Sequence, residues 1–157
     1  MLFFGIAILV IVCDQLTKLW IVHNFALYES LQVVPGFFQI TYLTNTGAAF
    51  GLLAGHPSWW RQLFFVGVAI AALVVIGVLY RKLARDHVGY VVALALICGG
   101  AIGNLIDRIR LGSVIDFLYF SLAGHYWPAF NVADSAITIG VGLFLLVNFK
   151  GSAHNRH

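Results

Sequence analysis

Four apolar stretches, each long enough to cross the hydrocarbon core of a bilayer, decide most of what this chain can fold into. They run roughly from Leu2 to Val22, Gln62 to Tyr80, Val88 to Ile106 and Phe130 to Phe149. At about 1.5 Å per helical residue, each approaches the roughly 30 Å that a bilayer core demands. A composition of 61% hydrophobic and 10% charged residues lies well outside that of soluble domains and agrees with this reading. The expected fold is an integral membrane protein, mainly α, with four transmembrane helices in one polytopic domain spanning 1–157.

The first stretch contains Leu9-Val10-Ile11-Val12-Cys13, which has the outline of a processing site. The run lacks a preceding basic region and Val12 is too bulky for such a site, so the segment is expected to stay as a helix. The two cysteines, Cys13 and Cys98, lack metal-type spacing and are expected to be packing residues. Arg81, Lys82 and Arg85 sit in the short link between the second and third spans, with Lys150 and Arg156 in the tail. Short basic links stay in the cytoplasm, which places both termini inside. The basic residues form no stripe, so nucleic acid is not an expected partner.

On this topology the segments 23–61 and 107–133 are external. In the first, Leu31-Gln32-Val33-Val34 and Phe37 to Leu43 flank Pro35-Gly36. The β-branched and aromatic residues around a turn signal predict a small hairpin or sheet on the membrane surface. Trp59 and Trp60, like His125 beside Tyr126 and Trp127, suit the membrane interface.

Of six acidic residues, Asp14, Asp107, Asp116 and Asp134 fall within or beside apolar segments. Acids in such places cost roughly 2.5 to 3.5 kcal/mol at mid-bilayer and usually face the protein interior with a task. The topology brings all four to one level near the external surface. Three of them have a bland reading. Asp14 and Lys18 are spaced i,i+4 and can neutralise each other. Asn104, Asp107 and Arg108 can form a hydrogen-bonded helix end whose Arg snorkels to the headgroups. Asp134 and Ser135, after Asn131, can cap the fourth helix. Asp116, alone in Val114-Ile115-Asp116-Phe117-Leu118, has no such partner.

If Asp116 and Asp134 approach each other, they would share one proton at neutral pH. One carboxylate then activates water while its protonated partner polarises a carbonyl, and neither metal nor cofactor is needed. No H-E-x-x-H or G-x-S-x-G motif occurs, and Ser113 and Ser135 have no evident His partner. A proton relay in a small transporter, or a non-catalytic assembly protein, also fits intramembrane acids. A relay would place them at successive depths.

These residues carry a family resemblance. Asp14-Gln15-Leu16-Thr17-Lys18, Thr44 to Phe50, Gly99 to Arg108, Val114-Ile115-Asp116-Phe117 and Phe130 to Ser135 together resemble the bacterial lipoprotein signal peptidases, or signal peptidase II. The resemblance implies an aspartic endopeptidase that cuts diacylglyceryl-modified prolipoproteins before the lipidated cysteine, with Asp116 and Asp134 as catalytic pair. It implies supporting or substrate-binding roles for Asp14, Lys18, Asn45, Gly100, Asn104, Asp107, Arg108 and Asn131. It also implies a membrane-surface cradle in the external β segment, membrane lipids as partners, and inhibition by globomycin-like peptides.

Overall fold

The computed structural model describes residues 1–47, 58–84, 87–122 and 124–154. Ala48, Ala49 and Phe50 of the second matching segment, together with Arg85 and Arg156, lie outside these residues. Four helices, α1 (Leu2–Asn24), α2 (Trp59–Leu83), α3 (Val88–Leu111) and α4 (Val132–His154), alternate with a sheet of four antiparallel strands. The strands β1 (Ser30–Val34), β2 (Phe38–Asn45), β3 (Val114–Leu122) and β4 (His125–Tyr126) lie in chain order across the sheet. Among the described residues, all four helices are long and apolar enough to cross a membrane.

The bundle is polar inside and apolar outside. Asp14, Lys18, Asp107 and Asn131 are buried, while Phe4, Ile8, Leu16, Leu63, Val74 and Leu146 are exposed on outward faces. That arrangement suits a lipid solvent, in which the interior alone can satisfy polar side chains. Cys13 is exposed among these outward residues rather than packed, which corrects the expectation for it, whereas Cys98 is half-buried against the core. In lipid a small exposed side chain costs nothing, so the spacing of Cys13 held no clue.

Helix α3 is the hub, packing against α1, α2 and α4. Its glycines permit the approach. A Cβ on Gly100 would run into the Ala133 carbonyl oxygen of α4, and one on Gly103 would lie 2.6 Å from Asp14 Oδ2 of α1. Small residues at helix contacts are the usual route to close packing in membranes, where no hydrophobic force draws helices together.

Several helix boundaries differ from the apolar limits. α2 begins at Trp59, so Trp59 and Trp60 form its first turn. α3 runs to Leu111 instead of stopping near Ile106, which makes Asp107 and Arg108 helical. α4 begins at Val132. Hydropathy marks where apolar residues stop; α3 continues because Asp107 and Arg108 beyond that point find partners. α3 ends at Gly112, whose φ of 72° is the left-handed conformation and whose N–H donates to the Arg108 carbonyl at 3.0 Å. The chain then turns straight into β3.

The predicted hairpin is present as β1 and β2, joined through Pro35 and Gly36 with Gly36 at φ 73°. Glycine after proline supplies the positive φ of a type II turn. The segment 107–133 is more than the connection that hydropathy suggests, because it adds strands β3 and β4 to the sheet. β3 pairs with β2 so that Leu43 opposes Asp116 and Asn45 opposes Val114. Ile21 of α1 packs under Ile115 and Phe117, seating the sheet on the bundle.

Candidate active site

The polar residues converge where the sheet meets the helix ends. A cavity of about 440 Å³ there is lined by Asn45, Gly47, Asn104, Arg108, Asp116 and Asp134, with an apolar remainder that includes Val114, Trp127, Phe130 and Ile139. Asp116 comes from β3 and Asp134 from the first turn of α4, so two distant elements bring the carboxylates to one space.

Each carboxylate is held by amides. Asn131 Nδ2 donates to Asp116 Oδ1 at 2.8 Å and Asn45 Nδ2 donates to Asp116 Oδ2 at 3.2 Å. Asn104 Nδ2 donates to Asp134 Oδ1 at 2.7 Å. Asn131 also caps α4: its Oδ1 accepts from Asp134 N at 2.9 Å, and Asp134 Oδ2 accepts from Asn131 N at 3.3 Å. This reciprocal pair is a capping box, so the cap is Asn131, while Asp134 fills the third position and keeps Oδ1 for the site. Capping and membership of the site are therefore compatible for Asp134.

Burial pushes the Asp116 carboxyl up to about 7, helped by the Asp134 carboxylate, while the Asn45 and Asn131 hydrogen bonds and the Lys18 charge pull the other way. Burial and the nearby Asp134 carboxylate thus both favour the protonated form of Asp116. Such a pair can deprotonate water and polarise a carbonyl at once.

Behind the cavity lies a second layer. Lys18 Nζ is 2.8 Å from Asp14 Oδ2 and 2.8 Å from Asp107 Oδ2, so the expected private Asp14–Lys18 pair is in fact a triad. Asp14 Oδ1 accepts from Ala133 N at 2.9 Å, which satisfies an open amide at the start of α4. Asp107 Oδ2 accepts from Ile115 N at 3.2 Å, beside Asp116. Each ion thus has a carboxylate or ammonium partner and ties a further element to the site, as buried charges must if they are not to destabilise. Asp14, Lys18, Asp107 and Asn131 are buried and do not line the cavity, and Gly100 sits at the α3–α4 contact, whereas Asn45, Asn104 and Arg108 line it.

Arg108 does not snorkel to the headgroups. Its Nη2 donates to the Gly47 carbonyl at 2.9 Å and its guanidinium lies 4.3 Å from the centre of the Phe65 ring. A planar cation that stacks on an aromatic face and bonds a carbonyl has better partners here than water. Sequence reasoning assigns no separate role to Gln15 or Gln62. Gln15 Nε2 donates to Asp107 Oδ1 at 3.0 Å, and Gln62 Nε2 to the Arg108 carbonyl at 3.0 Å. The signal that marks them is an amide within or at the edge of an apolar span, which lipid would penalise unless it had protein partners. The Ser135 hydroxyl, also on the cavity, donates to the Asn131 carbonyl at 2.9 Å.

Comparison with known proteins agrees with this geometry. The family model described as signal peptidase (SPase) II matches residues 6–150. The chain belongs to the signal peptidase II family. The lipoprotein signal peptidase of Syntrophus aciditrophicus is 51% identical over 148 residues, covering 94% of this chain and 91% of that protein. That of Symbiobacterium thermophilum is 46% identical over 159 residues, covering 98% and 100%. A solved bacterial membrane enzyme structure superimposes with a TM-score of 0.86 at 35% identity, covering 97% of this chain and 90% of that one. As a signal peptidase II, the chain is a protease and a multi-pass bacterial membrane protein.

Proposed function

We propose that this protein removes the signal peptide from diacylglyceryl-modified prolipoproteins by cutting before the lipidated cysteine, with Asp116 and Asp134 as the hydrolytic pair and residues 1–157 acting as one unit. One observation carries the assignment of the pair. Two acids from separate elements line the same cavity, and each is gripped by its own asparagine amide. Asp134 takes a proton from water as the water oxygen attacks the carbonyl carbon of the residue before the cysteine. Asp116 gives its proton to the carbonyl oxygen. The tetrahedral intermediate then collapses: the peptide C–N bond breaks, the proton on Asp134 passes to the departing cysteine nitrogen, and one hydroxyl of the intermediate returns its proton to Asp116 as the C=O bond re-forms.

The remaining lining fits this substrate. Ile139 is exposed on the outward side of α4 and also borders the cavity, so the site opens towards lipid and suits a substrate that diffuses within the membrane. Membrane lipids and globomycin-like peptides are further expected ligands of this opening. We place both termini in the cytoplasm and the site near the external face of the bacterial inner membrane, because Arg81, Lys82 and Lys150 lie at the helix ends opposite the sheet. The acids cluster at one level, unlike the stepped depths of a proton relay.

The test is cleavage by purified protein in detergent. A diacylglyceryl-modified prolipoprotein is expected to yield a product whose first residue is the lipidated cysteine, in the presence of a chelator. Equal cleavage of unmodified precursor, or cleavage at another bond, would refute the proposed specificity.

A further inference from the structure

Lys18 has one contact that its burial does not explain. The ammonium is 2% exposed in an apolar bundle, and its ion pairs with Asp14 and Asp107 already balance the charge. Its third contact leads to the site: Nζ donates to Asn104 Oδ1 at 3.0 Å. An ammonium group has three donors and no acceptor, and all three are used. The Asn104 amide therefore must present its oxygen to Lys18, where Asn131 Nδ2 also donates to it at 3.3 Å. Its NH2 group is left facing Asp134. Of the amides that grip Asp116, Asn131 turns its Oδ1 to Asp134 N and Asn45 turns its Oδ1 to Gly47 N at 2.9 Å.

We propose that Lys18 is a positioning residue for the hydrolytic pair: by locking the Asn104 amide it keeps Asp134 as the ionised, proton-accepting partner and leaves the shared proton on Asp116. This rests on the reading of Asp116 and Asp134 as the catalytic pair. Among the described residues, the charged groups near the pair include Asp14 and Lys18 from α1 and Asp107 and Arg108 from α3. From α2, Gln62 and Phe65 reach this region without charge. The Lys18 charge bears on Asp116 and opposes the effect of its burial. The Lys18 and Asp14 charges are of opposite sign and act on the pair in opposite directions, so experiment can separate them.

The readout is the pH profile of kcat/KM for a diacylglyceryl-modified prolipoprotein. Wild type should lose activity as pH rises through the value at which Asp116 gives up its proton. Lys18→Met combined with Asp14→Asn leaves the net charge of the triad unchanged, with Asp107 as its remaining carboxylate. It should move that limb to higher pH by about half a unit or more and lower kcat at least tenfold, with KM little changed. Asp14→Asn alone, which removes a negative charge near the pair, should not move the limb upward. Lys18→Arg, which keeps a donor-only cation, should restore the limb even if it packs less well. Should the double variant fail to fold, Asn104→Ser decides the matter: it leaves Lys18 and both ion pairs intact but breaks the link to Asp134, and should likewise shift the profile upward. A wild-type profile in the folded double variant, or in Asn104→Ser, would overturn the positioning role. Failure of the catalytic-pair reading looks different, because Asp116→Asn or Asp134→Asn would then retain cleavage whatever Lys18 does.

Discussion

A single carboxyl group illustrates how burial becomes chemistry. Asp116 is 3% exposed and its pKa is pushed up to about 7, so activity that needs it protonated should decline as pH rises through about 7. The same shift acts on stability. Because the folded state holds this proton more tightly than the unfolded chain does, the stabilisation is complete below about 4 and is lost as pH rises through about 7. Wild-type protein should accordingly melt at lower temperature at pH 8 than at pH 5, and Asp116→Asn should shrink that difference; an unchanged difference would show that Asp116 is not the group responsible. Lys18→Met alone should destabilise by about 3 to 5 kcal/mol, since it leaves Asp14 and Asp107 buried without their cation, as thermal unfolding in detergent would reveal. Asp116 is legible in the sequence because no local partner accounts for a carboxylate within Val114 to Leu118. The functions of Asn45 and Asn131 are not, apart from the family resemblance: their contacts with Asp116 span 71 and 15 residues, and side chains that meet through folding leave no periodic trace.

Among the elements, the helices are legible from length and hydropathy, and the β1–β2 hairpin from Pro35-Gly36 between β-rich runs. β3 is not. Residues Val114, Ile115, Asp116 and Phe117 are all buried, so the strand lacks the alternation that marks a half-exposed one. Hydropathy misplaces the ends of α3 and α4 because polar residues there are stabilised by partners on other elements. Glycine patterning adds a contrast that can be measured. Gly100→Ala places a methyl group against the Ala133 backbone, while a Cβ at Gly142 meets nothing within 4 Å. Gly100→Ala should cost about 1 to 3 kcal/mol and reduce activity by parting α3 from α4. Gly142→Ala should be neutral or stabilise by up to about 1 kcal/mol. Equal melting temperatures for the two variants would contradict the close-approach account.

At the scale of the molecule, the charged interior makes sense only as a whole. The Lys18 triad joins α1 to α3, and its carboxylates reach on to α4 and to β3; the asparagines then pass this rigidity to the two site acids. The convergence of the acids at one level follows from topology alone, because alternating spans bring their outward ends together. The proposed orientation has its own check. A membrane-impermeant thiol reagent applied outside the inner membrane should label Leu31→Cys on β1 and spare Lys82→Cys at the end of α2, and the reverse pattern would invert the topology. The central claim is that Asp116 and Asp134 together hydrolyse the peptide bond, and it is tested most directly by assaying prolipoprotein cleavage with wild type, Asp116→Asn and Asp134→Asn, each verified as folded by its melting transition. The account predicts that each substitution lowers kcat by about a thousandfold or more, the scale set by losing general acid–base catalysis. Cleavage within about tenfold of wild type by either folded variant would contradict it, since that falls below the loss expected of an acid–base group.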